Sequence, residues 1–267
     1  MTASLWTSDE LARATGGTAS ADFEVTGVAF DSREIVDGDL FIAMRGEATD
    51  GHKFIDQAIA AGAAAILCEK PVDHPHVLVA DSAIALEALG RAARDRSQAQ
   101  IIGVTGSAGK TGTKEALFAA LHRASFGHAH RSVKSYNNHV GVPLSLARMP
   151  RDALFGVFEM GMNHAGELAA LTRIVRPHVA IITTIAPAHI GHFRNEAAIA
   201  DAKAEIFEGL EQGGTAIIPA DNLHFPALEA AARRATQNVV TFGRSRDASL
   251  RLLDAVTAPG GGSLVTA

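Results

Sequence analysis

The sequence predicts an α/β protein: a small mixed α/β N-terminal domain over residues 1–99, followed by a P-loop-type parallel-sheet domain over residues 100–267. Three observations carry this. From about Gln100 apolar strands and amphipathic helices alternate regularly, the pattern of a parallel sheet covered on both faces. Before that point short strands and helices mix without the rhythm. The first strand of the regular part, "IIGVT", runs into a glycine-rich loop that opens a helix.

Each element follows from its residues. "LWTSDELARATGG" reads as a short capped helix, acidic at its start and closed by glycines. "FEVTGVAF" and "GDLFIAM" alternate as strands. "HKFIDQAIAAG" is a short helix ended by Gly62, and "AAAILC" and "HVLVA" are further strands. "SAIALEALGRAARDRS" is a longer helix starting at Ser82. In the second part the strands are "IIGVT", "ALFGVFEM", "HVAIITTI", "TAIIPA" and "NVVTFG". The helices between them are "KTGTKEALFAALHRA", "HAGELAALTRIV", "NEAAIADAKAEIFEGL" and "FPALEAAARRA". Beyond Arg244 only a weak strand signal, "SLRLLDAVTA", precedes "GGGSLVTA".

The bulk properties narrow the function. With 267 residues, 47% hydrophobic and 20% charged, the chain has an ordinary globular composition and enough length for a sizeable core. A net charge of -5 offers no basic surface for nucleic acid or a membrane. No apolar run is long enough to span a bilayer, and the N-terminus lacks the pattern of a signal peptide. The single cysteine, Cys68, excludes an internal disulfide and fits a reducing, cytoplasmic setting.

The loop "TGSAGKTG" departs from the usual phosphate-loop spacing, because Val104 stands where the first glycine is expected. Its context nevertheless points to phosphate: Gly106, Ser107, Ala108, Gly109, Lys110, Thr111 and Gly112 lie between a buried strand and a helix N-terminus. Lys110 can reach terminal phosphates and the Thr111 hydroxyl can ligate Mg²⁺. Glu159 ends an otherwise apolar strand, where a carboxylate needs a partner or a cation, and His189 follows the end of another. Taken singly, each has a plain reading as a solvated strand-end residue. Together with Lys110 they are expected to converge on one crevice at the carboxyl ends of the strands. Lys203 follows Ile199 by four on an apolar helical stripe. It either snorkels to water or turns into the crevice, and periodicity slightly favours the first. His128 and His130 read as part of a solvated loop, and no Cys/His spacing suggests a zinc site.

The combination "TGSAGKT", "YNNHVGVPLSLA", "EMGMNHAGEL", "AHIGHF" and "AKAEIF" resembles the Mur ligases of peptidoglycan synthesis. "FDSREIVDGDLFIAMRGEATDGHKFIDQA" resembles their UDP-sugar-binding domain. Within the family, "LWTSDELARATGG" and "MGMNHAGELAALTRIVRPHVAIIT" look most like the member that adds D-alanyl-D-alanine to UDP-N-acetylmuramoyl-tripeptide. The resemblance implies that ATP with Mg²⁺ phosphorylates the peptide carboxylate and that the D-alanyl-D-alanine amine attacks the acyl phosphate. It implies metal ligation by Thr111, Glu159, His189 and a carbamate on Lys203, with Lys110, Lys203 and His189 catalytic. It places Ser32, Arg33, Asp50, Gly51, His52, Asn137 and Asn138 at the UDP-sugar peptide. It also implies a third, C-terminal domain beyond the 267 residues, so the chain alone is expected to be inactive or weakly active. Two other readings stay open: a non-catalytic fragment that binds UDP-sugar or ATP, and the related ligase that adds the third peptide residue.

Overall fold

A computed structural model describes residues 4–46, 49–187, 193–257 and 263–267. It divides into two compact units, Met1–Gln98 with His139–Ala153, and Ala99–Asn138 with Leu154–Ala267.

In chain order, β1 (Trp6–Thr7) leads into α1 (Ser8–Thr15). A capping box starts this helix: the Thr7 hydroxyl accepts from the Glu10 N–H, and the Glu10 carboxylate accepts from the Thr7 N–H. Then come β2 (Thr18–Ala19), β3 (Glu24–Val25), β4 (Gly27–Ala29) and β5 (Asp39–Ile42). α2 (Ile55–Ala60) separates β5 from β6 (Ala65–Cys68), and β7 (His76–Leu78) precedes α3 (Ser82–Arg96), capped by Asp81. The sheet order is β2-β7-β6-β5-β4, parallel except for β2. β5 and β6 are buried throughout, and Phe41, Ala58, Ile66 and Cys68 form a core under α2.

The second unit begins with β8 (Gln100–Thr105), α4 (Lys110–Ala124) and β9 (Ala129–Arg131). The chain then returns to the first unit as α5 (Gly141–Ala147), every residue of which is buried. α5 lies so close to α3 that a Cβ on Gly90 would meet the Pro143 Cα at 2.8 Å. The Trp6 indole N–H donates to the Ala147 carbonyl at 2.9 Å. The remaining elements are β10 (Phe155–Glu159), α6 (Glu167–Val175), β11 (Val179–Ile182), α7 (Glu196–Ala204), β12 (Thr215–Pro219), α8 (Phe225–Ala235), β13 (Asn238–Gly243), β14 (Leu250–Arg251) and the hairpin β15 (Asp254–Thr257) and β16 (Ser263–Thr266). Seven strands pair in parallel in the order β14-β13-β12-β11-β8-β10-β9. β8 is the switch point: β10 pairs on one side of it and β11 on the other. In open parallel sheets the crevice beyond such a strand is where ligands bind.

Two features differ from the sequence reading. The expected division at residue 99 has no place for the return of residues 139–153. Pro143 masks α5, yet it sits in the first helical turn, where its missing N–H costs nothing. The stretch read as a solvated loop contains β9, and the His130 ring packs 5.9 Å from Phe158. Three residues, Ala-His-Arg, are too few to display a period of two. Among the described residues no helix is long and apolar enough to cross a membrane.

Candidate active site

The glycine loop leaves β8 at Thr105 and enters α4 at Lys110. Gly106 has φ +150°, and a Cβ there would overlap the Thr183 hydroxyl. Gly109, at φ +84°, is the N-cap of α4, which has no side-chain cap. The helix therefore offers its first backbone N–H groups and its positive dipole end to whatever occupies the loop. The loop is fastened to the segment after β11. The Ser107 N–H donates to Thr184 O at 2.8 Å, Ser107 Oγ to Ala186 O at 2.9 Å, and the Thr183 hydroxyl to Ala108 O at 2.6 Å. Ser107 and Ala108 thus brace the loop, while the helix start stays open; a Cβ on Gly112 would meet nothing within 4 Å.

Lys110 folds back, its ammonium donating to the Gly106 carbonyl at 2.8 Å. Burial lowers its pKa, opposed by the charge of Glu159. The Thr111 hydroxyl donates to Glu159 Oε2 at 2.9 Å, and Asn137 Nδ2 donates to Glu159 Oε1 at 2.9 Å. Glu159 is only 2% exposed, and Ser132 Oγ accepts its backbone N–H. The expected pair of hard oxygen donors is therefore present at one point.

Lys203 is also buried, 1% exposed, so the inward alternative is the one the structure adopts. It lines a pocket of about 180 Å³ with Lys110, Asn137, Asn138, Asn163 and Glu167. Burial, and then the charge of Lys110, lower its pKa to about 8. Two residues on, the Glu205 carboxylate accepts from the N–H groups of Gly166 and Ala169 at 2.7 and 3.1 Å. This ties the end of α7 to the start of α6, where an anion also suits the helix dipole.

In the first unit, the other expected residues gather after the parallel strands β4 and β5. Asp31 accepts from the Arg33 N–H and pairs with its guanidinium, and the Ser32 hydroxyl donates to Gln57 Oε1 at 3.2 Å. Arg33 projects outward, its side chain 81% exposed. Asp50 accepts from the His52 N–H and faces His52 Nδ1 at 2.7 Å, while His52 Nε2 accepts from the Glu69 N–H at 3.2 Å. Both ring nitrogens of His52 are thus engaged within the chain. Gly51 is required there, since a Cβ would meet Met44 O at 2.6 Å. The expected substrate set accordingly divides, with Ser32, Arg33, Asp50, Gly51 and His52 in the first unit and Asn137 and Asn138 in the second.

His189 lies outside the described residues. Among the described residues, the sequence reading missed Asn163 and Glu167 at the pocket and Lys114, fully buried on α4. Its Nζ donates to Lys134 O at 2.8 Å and lies 3.7 Å from Glu159 Oε2. The signal was available. Lys114 precedes Leu117 and Leu121, which pack in the core beneath the helix, by three and seven. That is the same lysine-on-a-stripe pattern that singled out Lys203.

An uncapped helix start, a lysine and a Thr–Glu oxygen pair at the switch point of a parallel sheet define a phosphate-loop α/β protein. The family model described as the Mur ligase middle domain matches residues 104–266, and that described as the Mur ligase family, catalytic domain, matches residues 24–120. The chain belongs to the Mur ligase family. It is 39% identical to a UDP-N-acetylmuramoyl-tripeptide–D-alanyl-D-alanine ligase of Synechocystis over 84% of this chain and 50% of the relative. Its identity to the ligase of the same name from Escherichia coli is 38%, over 78% of this chain and 46% of that one. A crystal structure of MurF from Acinetobacter baumannii superposes with a TM-score of 0.82 at 31% identity, covering 97% of this chain and 60% of the other. MurF ligase from Thermotoga maritima, solved in complex with ADP, gives 0.73 at 30% identity, covering 90% and 55%. The chain spans about half the length of the curated relatives it matches.

Proposed function

We propose that this chain serves the ATP-dependent ligation of D-alanyl-D-alanine to UDP-N-acetylmuramoyl-tripeptide, a cytoplasmic step of peptidoglycan precursor synthesis. The observation that carries the reading is the Thr111–Glu159 oxygen pair, 2.9 Å apart, beside Lys110 at the open start of α4. The donor set fits: two hard oxygens suit Mg²⁺, and a glycine-lined helix N-terminus suits phosphates. When bound, ATP with Mg²⁺ supplies the phosphoryl group that makes the peptide carboxylate an acyl phosphate, open to attack by the dipeptide amine.

The chain's own residues do the rest. The N–H groups at the start of α4 hold phosphate oxygens, and Lys110 exchanges the Gly106 carbonyl for them, offsetting charge as it moves. Thr111 and Glu159 would hold the Mg²⁺ ion. The Lys203 amine, with its pKa near 8, is partly neutral at physiological pH and can add to CO₂. The new N–C bond gives a carbamate anion, and one proton leaves to water. That anion would replace a cation beside Lys110 and could supply an oxygen ligand to the metal. By the resemblance alone, His189 would hold a second metal ion. Asn137 and Asn138 orient the muramoyl-peptide, and the Ser32–Arg33 and Asp50–His52 turns receive the uridine nucleotide.

Calorimetric titration of the 267-residue chain with ATP–Mg²⁺, and separately with UDP-N-acetylmuramoyl-tripeptide, tests the reading. Saturable binding of both is expected. Absence of both from a folded chain would overturn it.

A further inference from the structure

We propose that Lys114 is a positioning residue of the phosphate site: it holds the Glu159 carboxylate as an internal counter-cation, and so keeps the site from taking a divalent cation until a nucleotide arrives with one. This rests on the reading of the loop as a nucleotide site. Burying an ammonium is unfavourable unless it is paired and hydrogen-bonded. Lys114 meets both conditions, with Lys134 O at 2.8 Å, Glu115 Oε1 at 3.3 Å and Glu159 Oε2 at 3.7 Å. Glu159 Oε2 is the oxygen that also accepts from Thr111, so Lys114 stands beside the very atoms a metal would use.

The local charge balance gives the consequence. Two lysines, Lys110 and Lys114, act on Glu159, while Lys203 and Glu167 line the pocket that Lys110 also borders. Among the described residues, no three carboxylates, imidazoles or thiolates gather to hold a metal. A bare divalent ion at the Thr111–Glu159 pair meets one close carboxylate and two ammonium groups. Coulomb energy falls off as the inverse of distance, so an ammonium about 4 Å from the ion offsets part of the attraction of one contacting carboxylate, and two ammonium groups offset more of it. A nucleotide's phosphates restore the attraction, and the cation enters with them. A brace for the 132–138 turn is the plainer role for Lys114, since Lys134 has φ +52°. A brace needs only a hydrogen-bond donor, whereas a counter-cation needs the charge. The two roles therefore separate by substitution.

The experiment titrates the 267-residue chain and the variants K114Q, K114M and K114R with Mn²⁺, reading free Mn²⁺ by electron paramagnetic resonance, without and with ADP. Without nucleotide, wild type and K114R should bind weakly. K114Q and K114M should bind tighter by about tenfold or more, because the repulsion is gone. Saturating ADP should shrink the difference. Neutral variants that bind Mn²⁺ no tighter than wild type would overturn the proposal. So would neutral variants that fail to fold while K114R folds, since the cation would then serve stability alone. If ADP does not bind wild type, the nucleotide reading fails, and the nucleotide-free titration still decides the role of Lys114.

Discussion

The Lys110 ammonium donates to the carbonyl of Gly106, 2.8 Å away, so the lysine closes over the loop it belongs to. A phosphate at the start of α4 has to take over that donor. Lys110→Met should therefore weaken ADP–Mg²⁺ binding by about tenfold or more, since a charge-assisted hydrogen bond is among the stronger polar contacts. Thermal unfolding should move little, because the lysine packs against its own loop. Calorimetry and a melting curve on the same sample check both halves.

Gly106→Ala tests the shape of the loop rather than its charge. The left-handed backbone and the Thr183 hydroxyl leave no room for a Cβ. The loop should shift away from Thr183 at a cost of about 1–3 kcal/mol, and nucleotide affinity should fall with it. An alanine variant with wild-type stability and wild-type ADP affinity would contradict the geometry.

Lys203 gives a pH dependence of stability. Its folded pKa of about 8 lies below the ordinary 10.5, so between those values the unfolded chain binds a proton that the folded chain does not. Stability from this group therefore rises as pH climbs from 8 to 10.5, and the penalty of the buried charge is full below 8. Lys203→Met in CO₂-free buffer should stabilise the chain most near pH 7, by up to about 3 kcal/mol, and progressively less toward pH 10.5. Denaturant titrations of both proteins across that range are the check. A difference that does not change with pH would be inconsistent with the shift.

Trp6 is the only tryptophan, and the Arg96 guanidinium carbon lies 3.5 Å from its ring centroid. Burial pushes the Arg96 pKa down to about 10, yet the side chain stays cationic at neutral pH and also donates to Leu5 O. Arg96→Met should destabilise the first unit by about 1–3 kcal/mol, from the lost cation–π contact and hydrogen bond. Trp6 fluorescence during urea unfolding should report the earlier midpoint directly.

The strand–helix alternation after Gln100 made the larger sheet legible, because buried parallel strands are continuous apolar runs that composition cannot hide. β9 and α5 were not legible. One is a three-residue edge strand and the other a short helix apolar on every side with a proline inside it. At the site, Lys110, Thr111 and Glu159 were readable from their places at strand and helix ends. Lys203 was noticed through its apolar stripe, but periodicity gave its side chain the wrong preference, toward water. A stripe shows which face is inward and not whether a cavity waits there. Lys114 shared the signal and was overlooked beside the more conspicuous loop.

The return of residues 139–153 reaches into how the chain is made. When residue 98 leaves the ribosome, the N-terminal unit is still unfinished: the Trp6 indole has no Ala147 carbonyl to meet, and Gly90 has no Pro143 against it. β8, α4 and β9 must be synthesised before α5 can close that unit, and β8 itself waits for β10 and β11 to flank it. The N-terminal unit is thus first to begin and cannot be completed on its own. A nascent chain stalled near residue 110 should present an open α3 surface to chaperones, and one stalled well past residue 153 should not.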